Sequence, residues 1–291
     1  MKDRRTISIA ALAVLTAALC AYALLPAQGR LSVTVMDVGE GLCIVARTPS
    51  GKTLVMDCGT CSRRDNQGVG ESVVVPYLNK TGVRGIDVVI ASHPHEDHIS
   101  GFPRLFAKLP PKLVLDSGSR EDSATYRRFL AAVRRSGARY RIAERGQVLD
   151  LGDGVSVQVL SPPPASRDVD ANTHSVVARV IYGRTAFLMA ADADDETESE
   201  ILASGQPLRA QVLQVGHHGS AGASSPKWLA AVHPQIAVIS CGRRNPYGHP
   251  APETLARLDS LRTRVYRTDR DGAVTFHSDG ATITVSAMTR R

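Results

Sequence analysis

A short apolar run, Ile86-Asp-Val-Val-Ile-Ala91, ends at Ser92 and passes directly into His93-Pro94-His95-Glu96-Asp97-His98. The apolar part reads as a short strand, so the fold must let that strand end in a loop of ligand-type side chains. In extended chain, residues two apart point the same way. His93, His95 and Asp97 can therefore converge on one point, with His98 turning back from the loop. Neutral imidazoles and a carboxylate suit Zn²⁺ or Mn²⁺. A lone histidine is usually a satisfied or exposed residue, but three histidines and an aspartate within this run are hard to explain as packing. Pro94 lacks an N–H and stiffens the loop.

Other segments supply companions for this strand. Residues 31–37 alternate apolar and polar side chains and read as a strand. Residues 42–46 and 53–56 read as two more, with Ser50-Gly51 as the turn between them. Residues 113–115 repeat the apolar pattern more briefly. Residues 126–136 place Phe129, Leu130 and Val133 at helical spacing, with Arg127, Arg128, Arg134 and Arg135 outside. Residues 148–160 and 175–190 read as paired strands, with a hairpin turn at Tyr182-Gly183-Arg184. A short helix at 197–202 follows, then a strand at 210–215 that ends at Gly216-His217-His218-Gly219. A strand at 235–240, a helix at 252–261 and a hairpin at 273–285 around Asp279-Gly280 close the chain. Strands first, then alternating strands and helices, occur twice over. That order implies an α/β chain with two sheets packed face to face and helices outside, a four-layer αββα sandwich. The stretch Ser161-Pro-Pro-Pro164 is a loop between the halves, so residues 31–291 form one domain.

Composition bears on what surrounds this domain. With 43% hydrophobic and 22% charged residues, wholesale disorder is excluded. The N-terminus has its own character. Lys2, Arg4 and Arg5 precede residues 7–25, which carry no charge. That length suits either a long secretory signal or one membrane-spanning helix of about 20 residues. Residues 1–30 are therefore expected to be a signal peptide or a membrane anchor, a single apolar helix with its positive end in the cytoplasm. The remainder is expected to be exported, on the extracellular or periplasmic face. Cys43, Cys58, Cys61 and Cys241 are left as either a local disulfide or small buried thiols. The net charge is +7, of which residues 1–30 contribute +3. Such a mild excess tolerates an anionic partner without demanding one.

The run His93-x-His95-x-Asp97-His98 resembles the H-x-H-x-D-H signature of the metallo-β-lactamase superfamily, and further motifs follow in the family's order. Thr53-Leu-Val-Met-Asp57-Cys-Gly is similar to the family's strand ending in Asp-x-Gly. Phe187-Leu-Met-Ala-Ala-Asp192 resembles its strand ending in a metal-bridging aspartate, although Ala191 stands where glycine is usual. Val215-Gly-His217-His218-Gly-Ser220 resembles the H-H-G-S motif of one branch, the extracellular hydrolase domain of ComEC-type competence proteins. Met36-Asp37-Val-Gly-Glu-Gly-Leu, Asn172-Thr-His174-Ser175, the block Asn245-Pro-Tyr247-Gly-His249-Pro and Tyr266-Arg-Thr-Asp269 resemble four more motifs of that branch. The likeness spans residues 31–285. Many members of the branch carry Asp where this chain has His95. The branch's transmembrane channel has no counterpart here.

The resemblance implies a dinuclear hydrolase with two divalent ions, Zn or Mn. His93, His95 and His174 hold the first ion, Asp97, His98 and His218 the second, and Asp192 bridges them. Asp57 supports the ligand loop. Asp97 also orients a metal-bound hydroxide that attacks in line, and His217 or His249 assists the leaving group. His217 is left as a supporting residue, a ligand or a transition-state donor. Asn172, Ser220, Asn245 and Tyr247 stand as supporting or substrate-contacting residues. The implied substrate is an anionic phosphodiester such as DNA, with Arg63, Arg64, Arg243 and Arg244 near the site loops. A phosphoesterase acting on wall polymer or phosphorylcholine esters is the alternative. A non-enzymatic metal- or DNA-binding module of an uptake machine is the alternative of another class. No protein partner can be read from the sequence.

Overall fold

The computed structural model describes residues 29–61, 68–119, 121–164 and 174–288. Among the described residues the chain forms β1 (Leu31–Val35), β2 (Ile44–Arg47), β3 (Thr53–Met56), β4 (Ile86–Ala91), β5 (Pro111–Asp116), β6 (Arg139–Ile142), β7 (Val148–Gly152) and β8 (Val155–Ser161). It continues with β9 (Val177–Tyr182), β10 (Thr185–Met189), β11 (Val212–Gln214), β12 (Ile236–Ile239), β13 (Arg264–Arg267), β14 (Val274–Ser278) and β15 (Ile283–Ala287). The helices are α1 (Val75–Lys80), α2 (Glu96–Ile99), α3 (Phe102–Lys108), α4 (Ala124–Ser136), α5 (Asp195–Ala203), α6 (Pro226–Val232), α7 (Pro252–Ser260) and α8 (Thr268–Asp271).

One sheet runs β15-β14-β1-β2-β3-β4-β5-β6 and the other β13-β12-β11-β10-β9-β8-β7. Both divide in the same way. β3 to β6 and β10 to β13 pair in parallel, and the remaining neighbours are antiparallel. Val33, Ile44, Met56 and Ile90 of one sheet pack with Val157, Val180, Phe187 and Val212 of the other in a core between the sheets. A second core lies between the first sheet and α1, α3 and α4, where Leu78, Phe102, Phe129 and Val133 are buried. A third joins the second sheet to α5, α6 and α7 through Ile201, Trp228 and Leu258. This is the expected four-layer αββα sandwich. Strands such as β3 and β4 are largely apolar, with Thr53 and Asp87 as their polar members, because sheet covers one face and helix the other.

Local chemistry marks the element ends. Ser123 accepts the Tyr126 N–H at 3.1 Å to cap α4, and Gly137 ends the helix at φ 70°. Between those caps Phe129 and Val133 are buried as the spacing predicts, Leu130 is half-buried, and Tyr126 and Ala132 are buried with them. Among the described residues no helix is long and apolar enough to cross a membrane. The apolar run at residues 7–25 lies outside the described residues, as do Arg63, Arg64 and Asn172.

The loop after β4 is held by backbone contacts as well as by side chains. Leu42 N–H donates to the Asp97 carbonyl at 3.0 Å, and Cys58 N–H to the His98 carbonyl at 2.7 Å. Gly101 N–H returns to the Cys58 carbonyl at 2.7 Å. Three strands of chain therefore lie almost in contact, and a Cβ on Gly59 would collide with the backbone of Asp97 and His98. Replacing Gly59 with Ala is expected to cost about 1–3 kcal/mol of stability through overpacking. Gly85→Ala, where a Cβ would meet nothing within 4 Å, serves as the control. Urea unfolding midpoints should fall for the first variant and stay put for the second.

Candidate metal centre

The ends of the parallel strands β3, β4, β10 and β11 deliver acids and imidazoles to one place. Asp57 follows β3, His93 to His98 follow β4, Asp192 follows β10, and His217-His218 follow β11. Among the described residues, Asp97, His98, Asp192 and His218 place one ligand atom each within 4.8 Å of one another. His98 Nε2 lies 3.1 Å from Asp192 Oδ1, and His218 Nε2 lies 3.2 Å from Asp97 Oδ2 and 3.6 Å from Asp192 Oδ1. The second oxygen of Asp192 faces the other way, 3.9 Å from both His93 Nε2 and His217 Nε2. One carboxylate thus presents its two oxygens to two different sets of imidazoles.

Hydrogen bonds on the far side of each ring decide which nitrogen is bare. His218 Nδ1 lies 2.9 Å from the Ser240 carbonyl, which can only accept, so Nδ1 carries the proton. His98 Nδ1 donates to the buried Asp57 carboxylate at 2.8 Å. Ser92 Oγ gives its one proton to Asp57 Oδ2 at 2.7 Å, so it accepts from His93 Nδ1 at 3.0 Å. All three rings therefore turn Nε2 inward, with the far nitrogen held by a hydrogen bond, as it is in metal-ligating histidines. His98 Nε2 and Asp192 Oδ1 are both buried with no hydrogen-bond partner, although they face each other. Such orphaned atoms are costly unless something else fills their valence, and N and O donors of this kind suit a divalent cation. The donor set fits a metal.

The remaining sequence-predicted residues are placed as follows. His93 Nε2 is met by His95 Nδ1 at 3.0 Å, so these two lie side by side next to the four-residue cluster. His174 is buried with Nδ1 unpartnered, and it is not part of that cluster. Its neighbour Ser175 reaches His93 Nδ1 at 3.2 Å. Ser220 stays in its own turn, accepting from Gly222 N–H at 3.4 Å. Asn245 ties its loop by donating to the Gly242 and His249 carbonyls at 2.9 and 2.7 Å and accepting His249 N–H at 2.9 Å. A cavity of about 350 Å³ opens over the cluster, walled by Glu40, Cys61, Asp97, His217, Tyr247 and His249. Glu40, Cys61, Ser92 and Ser240 were not assigned to the site by the sequence, although Cys61 was read with the other cysteines and Glu40 lies within the motif at residues 36–42. Only the position of Ser92, between strand and histidines, pointed to the ligand loop. Among the described residues Cys43, Cys58, Cys61 and Cys241 are free thiols, so of the two readings the disulfide is not the one found. Asp194 caps α5 through Thr197 N–H at 2.9 Å.

Electrostatics couple these groups. Burial alone would push His98 down, but Asp192, Asp57 and Asp97 raise it well above the ordinary imidazole range. Burial likewise opposes the charge on His218, yet Asp192 and Asp97 carry it up to about 9. Burial disfavours the Asp192 carboxylate, and His98 and His218 outweigh this to hold it well below the usual range. Burial lowers His249, and His218 and His217 add to that.

A model of the metallo-β-lactamase superfamily matches residues 36–243. ComE operon protein 3 of Bacillus subtilis is 30% identical over 267 residues, covering 88% of this chain and 34% of that protein. Competence protein ComA of Neisseria gonorrhoeae is 34% identical over 250 residues, covering 86% of this chain and 32% of that one. The chain thus spans about a third of the length of these curated relatives. Two solved structures share the fold. The metallo-beta-lactamase fold protein YhfI from Bacillus subtilis has a TM-score of 0.51 and 14% identity, covering 81% of this chain and 95% of YhfI. Zn(2+)-bound PqqB from Methylobacterium extorquens has a TM-score of 0.51 and 11% identity, covering 81% of this chain and 97% of PqqB.

In the metal-free protein His98 and His218 carry protons at neutral pH, because both are raised above the ordinary value of 6.5. A cation that takes Nε2 must displace those protons, whereas the two aspartates are already ionised. Calorimetric titration with Zn²⁺ in buffers of different ionisation enthalpy is expected to show about two protons released near pH 7. The number should fall as pH rises past 9, where His218 is already neutral. Buffer-independent heats at pH 7 would contradict this.

Proposed function

The chain belongs to the metallo-β-lactamase superfamily of metal-dependent hydrolases, and from that premise we propose that it hydrolyses phosphodiesters, with DNA as the substrate. The observation that carries the reading is the buried, unpartnered pair His98 Nε2 and Asp192 Oδ1 at the centre of a four-donor cluster. Asp97, His98, Asp192 and His218 would hold one divalent ion. His93 and His95 would hold a second, with Asp192 shared between the two, and His174, buried with Nδ1 unpartnered, is the third donor proposed for it. A divalent ion held there lowers the pKa of water toward neutrality and neutralises charge on a phosphoryl oxygen.

The chain's own residues supply the rest. Asp57 and Ser240 hold His98 and His218 in the tautomer that presents Nε2. The side chain of Asp97, 22% exposed, reaches the cavity and can orient a water from its free oxygen. His217 and His249, with ring centroids 6.0 Å apart, stand on the cavity wall, where one or the other would assist a leaving oxygen. Asn245 fixes the His249 backbone for that task. The choice of DNA is supported by the likeness to competence proteins. The proposed setting is outside the cytoplasm, because residues 7–25 form an uncharged run behind Lys2, Arg4 and Arg5.

The full chain loaded with Mn²⁺ or Zn²⁺ is expected to hydrolyse bis-p-nitrophenyl phosphate and to cut single- or double-stranded DNA. Asp57→Asn should lower activity roughly 10–100-fold, as loss of a residue supporting a ligand does. Asp192→Ala should lower it further. Turnover of a phosphorylcholine ester with both DNAs left intact would replace the nuclease by a wall-polymer esterase. A chain that binds no metal, with Asp192→Ala silent, would leave a non-enzymatic module.

A further inference from the structure

A second cleft, of about 510 Å³, adjoins the cavity over the metal cluster. The two share Glu40, Cys61 and Tyr247, and the second is otherwise walled by Gly39, Arg243 and Arg244 among others. Its size falls in the range of about 300–1,000 Å³ typical of small-molecule sites. None of the residues proposed to hold metal lines it.

Three features give this cleft a chemistry. First, it is cationic on its outer side. Arg243 donates Nε to the Asp269 carbonyl at 2.9 Å, which anchors one edge of the guanidinium and leaves its other nitrogens for an anion. Arg244 follows directly and is exposed. Second, Tyr247 stands on the ridge between the two cavities with 66% of its surface exposed. Its ring meets His249 edge to face at 5.8 Å and 89°, so it is steadied without being covered. Exposing an aromatic ring has no benefit for folding, but a base can stack on it. Third, Glu40 is 7% exposed, takes the Gly242 N–H on Oε2 at 2.6 Å and leaves Oε1 without a partner. That carboxyl lies behind the wall, where it braces the backbone of Gly242 beside the arginines. The hydrogen bonds of Asn245 close residues 242–249 into a tied loop, so the arginines and Tyr247 are presented on a fixed support.

We propose that this cleft is a nucleotide subsite next to the metal centre, in which Arg243 and Arg244 hold a phosphate of a single strand and Tyr247 stacks on its base. The proposal rests on the phosphodiesterase reading and deepens it, because it assigns a phosphate and a base of a single strand to named residues beside the metal centre. A poly(glycerol phosphate) chain would engage the arginines but has no ring to use Tyr247. A single strand uses both.

The test is the binding of fluorescein-labelled oligothymidylate to the full chain in EDTA, followed by anisotropy between about 50 and 200 mM salt. Arg243→Gln and Arg244→Gln should each make the slope of log K against log salt shallower by about 0.7, the value for one phosphate contact on a single strand. Tyr247→Leu should weaken binding roughly fivefold to hundredfold with the slope unchanged. An abasic oligonucleotide should bind the wild type as weakly as oligothymidylate binds Tyr247→Leu. Equal affinities and slopes across all variants would overturn the subsite, as would equal binding of the abasic and normal strands. Hydrolysis of bis-p-nitrophenyl phosphate by the metal-loaded wild type is measured alongside. Turnover with variant-insensitive binding sinks the subsite alone. Variant-sensitive binding without turnover sinks the hydrolase reading and keeps the subsite.

Discussion

Asp57 has no access to water, and a carboxylate in that position must have its lone pairs taken by donors or give up its charge. Burial pushes it upward, while His98 and the two donors of Ser92 pull against that. Ser92 N–H at 2.8 Å, Ser92 Oγ at 2.7 Å and His98 Nδ1 at 2.8 Å all converge on it. Those bonds join the end of β3 to the end of β4 and to the far end of the ligand loop. They also set the protons on His98 and, through Ser92, on His93. The geometry of two rings thus depends on one carboxylate that touches neither substrate nor cavity. Breaking such a buried arrangement from one side strands the partners, which makes it costly out of proportion to its size.

The other half of the centre has a different support. Asp192 and His218 hang from the second sheet, and backbone groups position them. His217 N–H donates to the Ala191 carbonyl at 2.9 Å, and the Gln214 side chain accepts Ala191 N–H at 2.8 Å. Asp57, Ala191, His217 and His218 all have positive φ, between 47° and 58°. None is glycine, and each such residue costs on the order of 1–3 kcal/mol unless its surroundings enforce it. The concentration of these positions around one cluster accounts for the departure noted at Ala191. Glycine suits that backbone better, and this chain manages without it because the Gln214 amide holds both polar groups of Ala191.

Much of this was legible before the fold was known, and the limits have physical causes. The strands at 53–56 and 86–91 are mostly apolar and lead into Asp57 and Ser92, so their ends and their ligands were visible together. Helix α4 was readable from the spacing of Phe129 and Val133. The edge strands β6 and β13 were not, because Arg139-Tyr-Arg-Ile142 and Arg264-Val-Tyr-Arg267 carry the charges that an unpaired edge tolerates. Helices α3 and α6 are short and carry proline in their first turn. The orientation of His217 and His218 could not follow from strand alternation, because β11 stops at Gln214 and both residues are left-handed. The burial of Glu40 gave no signal, since it depends on Gly242, some 202 positions away.

That dependence on distant partners extends to the whole donor set. Asp97 and His218 face each other across 121 positions of chain. Contacts so remote in sequence form late, because the intervening chain must lose its freedom before they repay it. While the polypeptide is being made, its first half carries Asp97 and His98 of the four-residue cluster, with His93 and His95 beside them, and no means of completing the set. Either half, released alone by proteolysis or premature termination, is equally incomplete. The capacity to concentrate a divalent cation therefore appears only at the last step of assembly, when the two sheets close on each other.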